Sequence, residues 1–466
     1  MGRTKWQMMT WVPAKITYEP TEDRFTAAAG LGGLVDLFLQ SPQSTEMRKC
    51  LPPRTSNASY DTMHLALTFM AGFWYGHDSI DDLEEFEEDP SVEDKLGGLP
   101  SPRAAGDYLR DFSSDHLRAM NEFITRQALS GRRQLKASEV ITLDIDSTSH
   151  VQSGDRMEGL AYNYKDEWCL DSLAVFDELG LGYGMELRPG NTFSSTGAPE
   201  MMGRVLSQLP KIPGRHRVRA DSAFCNEEFI RTCLLHGAEF TITAHDNINW
   251  TDVAAKITEW KPWVYSEEEQ EKAAKKGKTL PPIETAHYNY QPGWAENLRF
   301  PVVIKRTWVT NDTSTKRQGS LFEAEAESSG NWKYYAVMTN GNMHLHSEQA
   351  VLEHHAKRGN AENFIRETKY GYDLKHFPCL KMSANHAYGQ LALVAHNFMR
   401  TLALLVRPDK PNYSKKLRRK FVFIPGRLVK HARSLVMKIP VRYYKEVLRL
   451  QQAWAATLTP ALAPGS

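Results

Sequence analysis

The 466-residue sequence is short of cysteine, of unbroken apolar length and of net charge, and each shortage excludes something. Its five cysteines (Cys50, Cys169, Cys225, Cys233 and Cys379) are scattered, odd in number and never spaced Cys-x-x-Cys. That argues against a disulfide framework or a structural zinc site and suits a reducing cytosol. The opening "MGRTKWQMMTWVP" lacks the apolar core of a signal peptide. The most apolar long stretch, "LALVAHNFMRTLALLV" (391–406), is broken by His396, Asn397 and Arg400. It is also shorter than the roughly 20 residues a bilayer span requires. Leu391, Val394, Phe398, Leu402 and Leu405 recur at helical spacing within it, which predicts a core helix. A cytoplasmic protein is expected.

Net charge is only +1, but the charges are segregated. Residues 401–450 carry 14 Lys and Arg against Asp409 and Glu446, a local net of +12 (14 − 2). Residues 78–94, "DSIDDLEEFEEDPSVED", carry ten acids and no base. Opposite blocks that cancel in the total suit a protein that handles DNA and holds an acidic element elsewhere. A solvated helix face is the simpler account of the acidic run.

At this length two to four structural units are expected. Three-to-four spacing predicts helices in "LGGLVDLFLQ", "YDTMHLALTFMAGFWYG" and "PRAAGDYLRDFSSDHLRAMNEFITRQAL". The texture then changes. "SEVITLDID" and "DSLAVFDELGLGYGMELRPGN" predict strands, the second with a hairpin turn. "APEMMGRVLSQLP" predicts a helix and "HRVRAD" a strand. "NEEFIRTCLLHG" predicts a helix capped by Asn226, and "AEFTITA" a strand. This order fits an α/β domain with a mixed sheet. A charged connector, "SEEEQEKAAKKGKTLPP", and strand candidates "FPVVIKRTWVT", "SLFEAEAE" and "KYYAVMTN" predict a β-rich insertion. The expected organisation is an N-terminal helical region (1–136), a first core segment (137–245) and the insertion (246–341). A second core segment (342–406) and a basic C-terminal region (407–466) follow.

Three stretches offer acids for chemistry. In "ITLDIDSTSH", strand alternation puts Asp144 and Asp146 on one face. In "HRVRADSAF", Asp221 ends a strand, where open α/β sheets place their sites. In "HHAKRGNAENFIRETKYG" (354–371), His355, Arg358, Glu362 and Lys369 fall within an arc of about 60° if the segment is one helix. Carboxylates suit Mg²⁺ or Mn²⁺, and paired ions can drive phosphodiester chemistry. Arg358 and Lys369 would then grip phosphate. Each motif also has an ordinary structural reading. A strand-end Asp can cap a turn, Asp144 or Asp146 can pair with a base, and Arg358–Glu362 can be a surface pair.

Taken together the motifs resemble those of bacterial insertion-sequence transposases of the DDE type. Their last acid sits in a Tyr-x₂-Arg-x₃-Glu-x₆-Lys signature, matched here by His355, Arg358, Glu362 and Lys369 with His in place of Tyr. "LDIDSTSH" resembles their first-Asp motif, favouring Asp146 over Asp144. "RADSAF" resembles the second, giving Asp221, and "LRPGNTFSSTGAPE" between them is also similar to the family. The resemblance covers about 138–245 and 345–406.

It implies an RNase H-like core whose mixed sheet is flanked by helices and interrupted by the β insertion. The implied activity is cut-and-paste DNA transposition. Asp146, Asp221 and Glu362 would be the catalytic acids, holding two Mg²⁺ (or Mn²⁺), with Asp144 a further candidate ligand. His355, Arg358, Arg366 and Lys369 would contact DNA, as would Lys415, Lys416, Arg418, Arg419 and Lys420 of the basic region. Trp294 and Trp308 are candidates for stacking on an extruded base. The implied partners are double-stranded DNA, as terminal repeats and target, and a second copy of the chain. The implied location is the bacterial nucleoid. A catalytically silent, DNA-binding descendant and a carboxylate-based glycosidase are the competing readings; metal dependence separates the latter.

Overall fold

A computed structural model describes residues 18–55, 58–245, 248–310, 330–431 and 434–458. The expected strand at 320–327 and the opening 17 residues lie outside them. After the two-residue β1 (Phe25–Thr26), the chain runs through helices α1 (Ala29–Leu39), α2 (Pro42–Arg48) and α3 (Thr62–Tyr75), a 3₁₀ segment (Asp81–Glu88), α4 (Pro90–Leu96), α5 (Pro102–Arg110) and α6 (Ser114–Gln134). Caps set several boundaries: the Asp61 and Ser113 side chains accept from His64 and His116 N–H, and Gly76 ends α3 in a left-handed conformation. Part of the acidic run is structural. Asp89 caps α4 and also accepts from the Thr26 hydroxyl at 2.6 Å.

The β-branched, apolar stretch at 141–151 forms β2 (Ile141–Val151), followed by β3 (Ala161–Tyr162), β4 (Trp168–Asp177) and β5 (Gly182–Pro189). Helix α7 (Ala198–Gln208), β6 (His216–Ala220), α8 (Glu227–Leu235) and β7 (Glu239–Thr243) come next. The intervening segment supplies α9 (Trp250–Ala254), β8 (Lys261–Pro262), α10 (Glu267–Lys275), β9 (Ile283–Tyr290), β10 (Phe300–Thr310) and β11 (Gly330–Thr339). Ten strands form one sheet in the order β3-β4-β2-β6-β7-β11-β10-β9-β8, with β5 beside β4. β2–β6 and β6–β7 are parallel and the remaining pairs antiparallel. The strands of the β-rich segment thus extend the core sheet edge to edge through β11 and β7. The 266–282 connector differs from expectation. Its first part folds into α10, which the Ser266–Glu269 capping box nucleates and which buries none of its residues.

Helices α11 (Glu348–Ala356), α12 (Gly359–Gly371) and α13 (Met382–Val406) return the chain to the core. α13 is long and apolar enough to cross a membrane, yet 89% of its apolar window is buried. It packs on α6, α3, α5 and β5 as the central core helix. One apolar layer gathers α1, α3, α6 and α13 against β4 and β5. The other sets α7 and α8 against Leu143, Ile145, Val218 and Phe240. The mixed sheet between two helical layers is RNase H-like, as the resemblance implied. The C-terminal region forms α14 (Ser414–Leu417), a π turn (Arg418–Val422), β12 (Gly426–His431), β13 (Ser434–Lys438) and α15 (Val441–Leu458). β12 pairs with β1 on one side and β13 on the other, so N- and C-terminal segments share a three-stranded sheet. All five cysteines are free thiols.

Candidate active site

The site begins with strand register. β2 and β6 run parallel with Asp144 opposite Arg219. Two residues on, beyond the last paired position, Asp146 in mid-β2 and Asp221 just past the end of β6 occupy matching places on adjacent strands. Parallel neighbours lie about 4.8 Å apart, so the two carboxylates stand side by side. Period-two alternation puts Leu143, Ile145, Val218 and Ala220 in the opposite apolar layer.

Asp144 and Asp146 share a face but not a role. Both oxygens of Asp144 accept from Arg219, at 2.6 and 2.7 Å, in a fully buried fork. Its acceptors are already engaged, as one ordinary reading of the sequence allowed. Asp146 has no such partner. Arg358 Nη1 stands 3.7 Å from it, and among the described residues its hydrogen-bond donor is the Ser147 amide at 2.9 Å. Burial and then the Asp221 charge push its carboxyl up to about 6, with Arg358 opposing. Asp221 Oδ1 accepts from Ala223 N–H at 2.9 Å, capping the 3₁₀ turn Ser222–Phe224.

The third acid arrives on α12. Phe364 and Ile365 seat this helix on the sheet, and the Phe364 ring lies over Gly180 in the β4–β5 turn. Gly180 has φ +81°, and a Cβ there would come within 2.5 Å of the ring, so the approach needs glycine. Glu362, 64% exposed at its side chain, points to Arg358 Nη2 at 3.8 Å. Arg358 therefore stands between Asp146 and Glu362. Asp146, Ser147, Thr148, Glu362, Ile365 and Lys369 line an open groove of about 310 Å³ that Arg366 and Tyr370 continue.

The expected single helix across 354–371 is two. α11 ends at Ala356, and the chain turns at Lys357–Arg358 before α12. His355 consequently leaves the groove. It is 1% exposed, with Nε2 3.0 Å from the Thr243 hydroxyl and Nδ1 3.1 Å from the Thr241 carbonyl. Burial and the nearby Arg358 charge hold it down to about 4, so it is neutral near pH 7 and buried away from the groove. Lys369 donates to the Ser149 carbonyl at 2.6 Å, tying α12 to β2 at the groove edge.

In the basic region Lys415, Lys416 and Arg419 are exposed, and Lys420 pairs with Glu446 at 2.7 Å. Arg418 departs from expectation. It is buried and donates to the Trp74, Phe73 and Gly371 carbonyls, so it joins α3 to α12 instead of facing solvent. Trp294 is half-buried against Phe300, and Trp308 packs edge-on to Trp332 with centroids 5.2 Å apart. Both rings are held by neighbours.

Sequence reasoning missed Arg219 and Tyr370. Arg219 was signalled by the alternation of "RVRAD", which puts it on the Asp221 face; only register revealed its partner.

No three acidic or other ligating side chains among the described residues already converge as a metal cluster. Asp146 nonetheless has a carboxyl that its surroundings keep from ionising easily, beside Asp221 and with exposed Glu362 across the groove. That all-oxygen donor set suits a hard divalent cation.

The RNase H-like sheet thus sets Asp146 of β2 beside Asp221 just past β6, with Glu362 on the helix packed across them. The family described as Transposase DDE domain group 1 matches residues 23–456, and the chain belongs to it. No curated protein matches the chain.

Proposed function

We propose that this transposase performs cut-and-paste transposition with Asp146, Asp221 and Glu362 as its catalytic acids. The observation that carries this reading is the convergence on one groove of Asp146 from β2 and Glu362 from α12, with Arg358 between them and Asp221 beside Asp146.

Water attacks a phosphorus at the transposon end, forming one P–O bond as the bond to the 3′-oxygen breaks. The freed 3′-hydroxyl then attacks target DNA by the same in-line displacement. Asp146, Asp221 and Glu362 would hold Mg²⁺, which supplies charge neutralisation and activation of the attacking oxygen. Arg358 offers two N–H donors facing the groove and binds phosphate once Asp146 and Glu362 have another cation. Lys369 fixes α12 against β2, and so fixes where Glu362 stands. A dimer on double-stranded terminal repeats would join two ends.

The test is excision of a marker flanked by the inverted repeats bordering the gene, in Mg²⁺ or Mn²⁺. Wild type is compared with Glu362→Gln, and binding of both is checked by mobility shift. The proposal expects cleavage by wild type only and binding by both. Binding without cleavage by either protein would leave a silent DNA-binding descendant.

A further inference from the structure

Beyond the catalytic groove, and resting on the reading above, we propose that the structure carries a binding site for unpaired DNA on the α12–α14 corner. A groove of about 690 Å³ opens there, lined by Asn363, Arg366, Tyr370, Tyr413, Lys415 and Arg419. Arg366 and Tyr370 also line the groove of Asp146 and Glu362, so the two are continuous. Glu362, Arg366 and Tyr370 recur every four residues along one stripe of α12. From Glu362 to Tyr370 the helix rises about 12 Å, the length of roughly three to four nucleotides along one strand.

Two tyrosines specify the ligand. Tyr370 is 67% exposed and Tyr413 48% exposed, beside Arg366, Lys415 and Arg419. Aromatic faces interleaved with cations are the chemistry of single-strand binding, because bases stack only where they are not paired. A duplex passing over the same cations would gain phosphate contacts and leave both rings idle. The acids of the groove do not cancel the cations. Glu367 is turned inward, accepting from Ser414 N–H at 2.6 Å, and Asp78 is one exposed carboxylate against exposed Arg366, Lys415 and Arg419.

The corner is rigid. Glu367 and the Gly371 carbonyl bind Ser414 and Arg418 respectively, and a Cβ on Gly371 would come within 2.5 Å of the Ser414 hydroxyl. Both tyrosines therefore sit on fixed backbone. A strand opened at the cut site would follow α12 from Glu362 and stack on them.

Fluorescence anisotropy in EDTA tests this independently of cleavage, with an oligothymidine of about 15 nucleotides and a blunt duplex of equal length as probes. The Tyr370→Leu/Tyr413→Leu double variant is expected to lose at least about tenfold in oligothymidine affinity, from one to two stacked bases. Its duplex affinity should stay within about twofold of wild type. Tyr370→Phe/Tyr413→Phe, which keeps the rings, should bind like wild type. Lys415→Gln with Arg419→Gln should flatten the salt dependence for oligothymidine by about 1.4 log units per decade. Equal losses on both probes, or none on oligothymidine, would overturn the site. Failure of the excision test with these results intact would remove the catalytic reading and leave the binding site standing.

Discussion

Arg219 on β6 donates through Nε and Nη2 to the two oxygens of Asp144 on β2, and through Nη1 to the His354 carbonyl at 2.9 Å. One buried guanidinium thus binds two parallel strands together and pins the end of α11, from which Arg358 follows after a single turn. The pair positions the site without touching the groove.

Removing one partner of this pair should be costly, because it leaves an uncompensated buried charge. Arg219→Ala is expected to destabilise the fold by about 3–5 kcal/mol. The double variant Arg219→Met/Asp144→Leu should recover much of that loss. Denaturant melts of both variants check it; equal instability of the two would show that the charge is not the cause.

Asp146 should trade stability for function. Its carboxyl is raised to about 6 in the fold, so the native state binds more protons than the unfolded chain between about pH 4 and 6. Its contribution is therefore best at low pH and is lost as pH rises through that window. Asp146→Asn removes the penalty and is expected to stabilise the protein by about 1–3 kcal/mol at pH 7 while abolishing cleavage. Mn²⁺ should raise the melting temperature of wild type and leave the Asn variant unmoved. A variant less stable than wild type at pH 7 would contradict the charge argument.

Arg358 competes with any cation for Asp146 and Glu362, being 3.7 and 3.8 Å from them. Arg358→Gln is expected to bind Mn²⁺ several-fold more tightly by calorimetry, yet to cleave DNA at least about tenfold more slowly as a phosphate donor is lost. Weaker Mn²⁺ binding in the variant would mean that Arg358 supports the carboxylates instead of screening them.

Buried imidazoles run the opposite way to Asp146. Burial holds His77, His355 and His396 down to about 4 and His150 to about 3. The unfolded chain binds more protons below about 6.5, so their contribution is full above that pH and falls as pH drops towards 4. Urea midpoints should decline steadily from pH 6.5 to 4.5. Replacing His355 by Gln should blunt the decline. A flat profile over that range would show that these rings are not held neutral.

Element identity was readable wherever local chemistry decided it. Asn226 caps α8 through Phe229 N–H, as its place before two glutamates suggested. The broken apolar run at 391–406 became the core helix for the reason its spacing indicated. Reading failed where a contact from another element overrode local pattern. Gly359 and the turn at Lys357–Arg358 split the helix that would have put His355 and Glu362 on one face. Thr241 and Thr243 of β7 then took the imidazole into the core. Arg418 sat in a basic run with nothing local to separate it from Arg419, and it was claimed by three carbonyls from α3 and α12.

The sequence by itself determined which residue types were available and which pairs share a face: Asp144 with Asp146, and Arg219 with Asp221. Periodicity is a property of the backbone alone, so it needs no partner. Only the tertiary structure decided that Asp144 is engaged by Arg219 while Asp146 is left beside Asp221, because register between strands far apart in sequence is set by packing on both faces of the sheet. It likewise decided that Arg358 stands between Asp146 and Glu362, which depends on how α12 seats against Gly180 and β2.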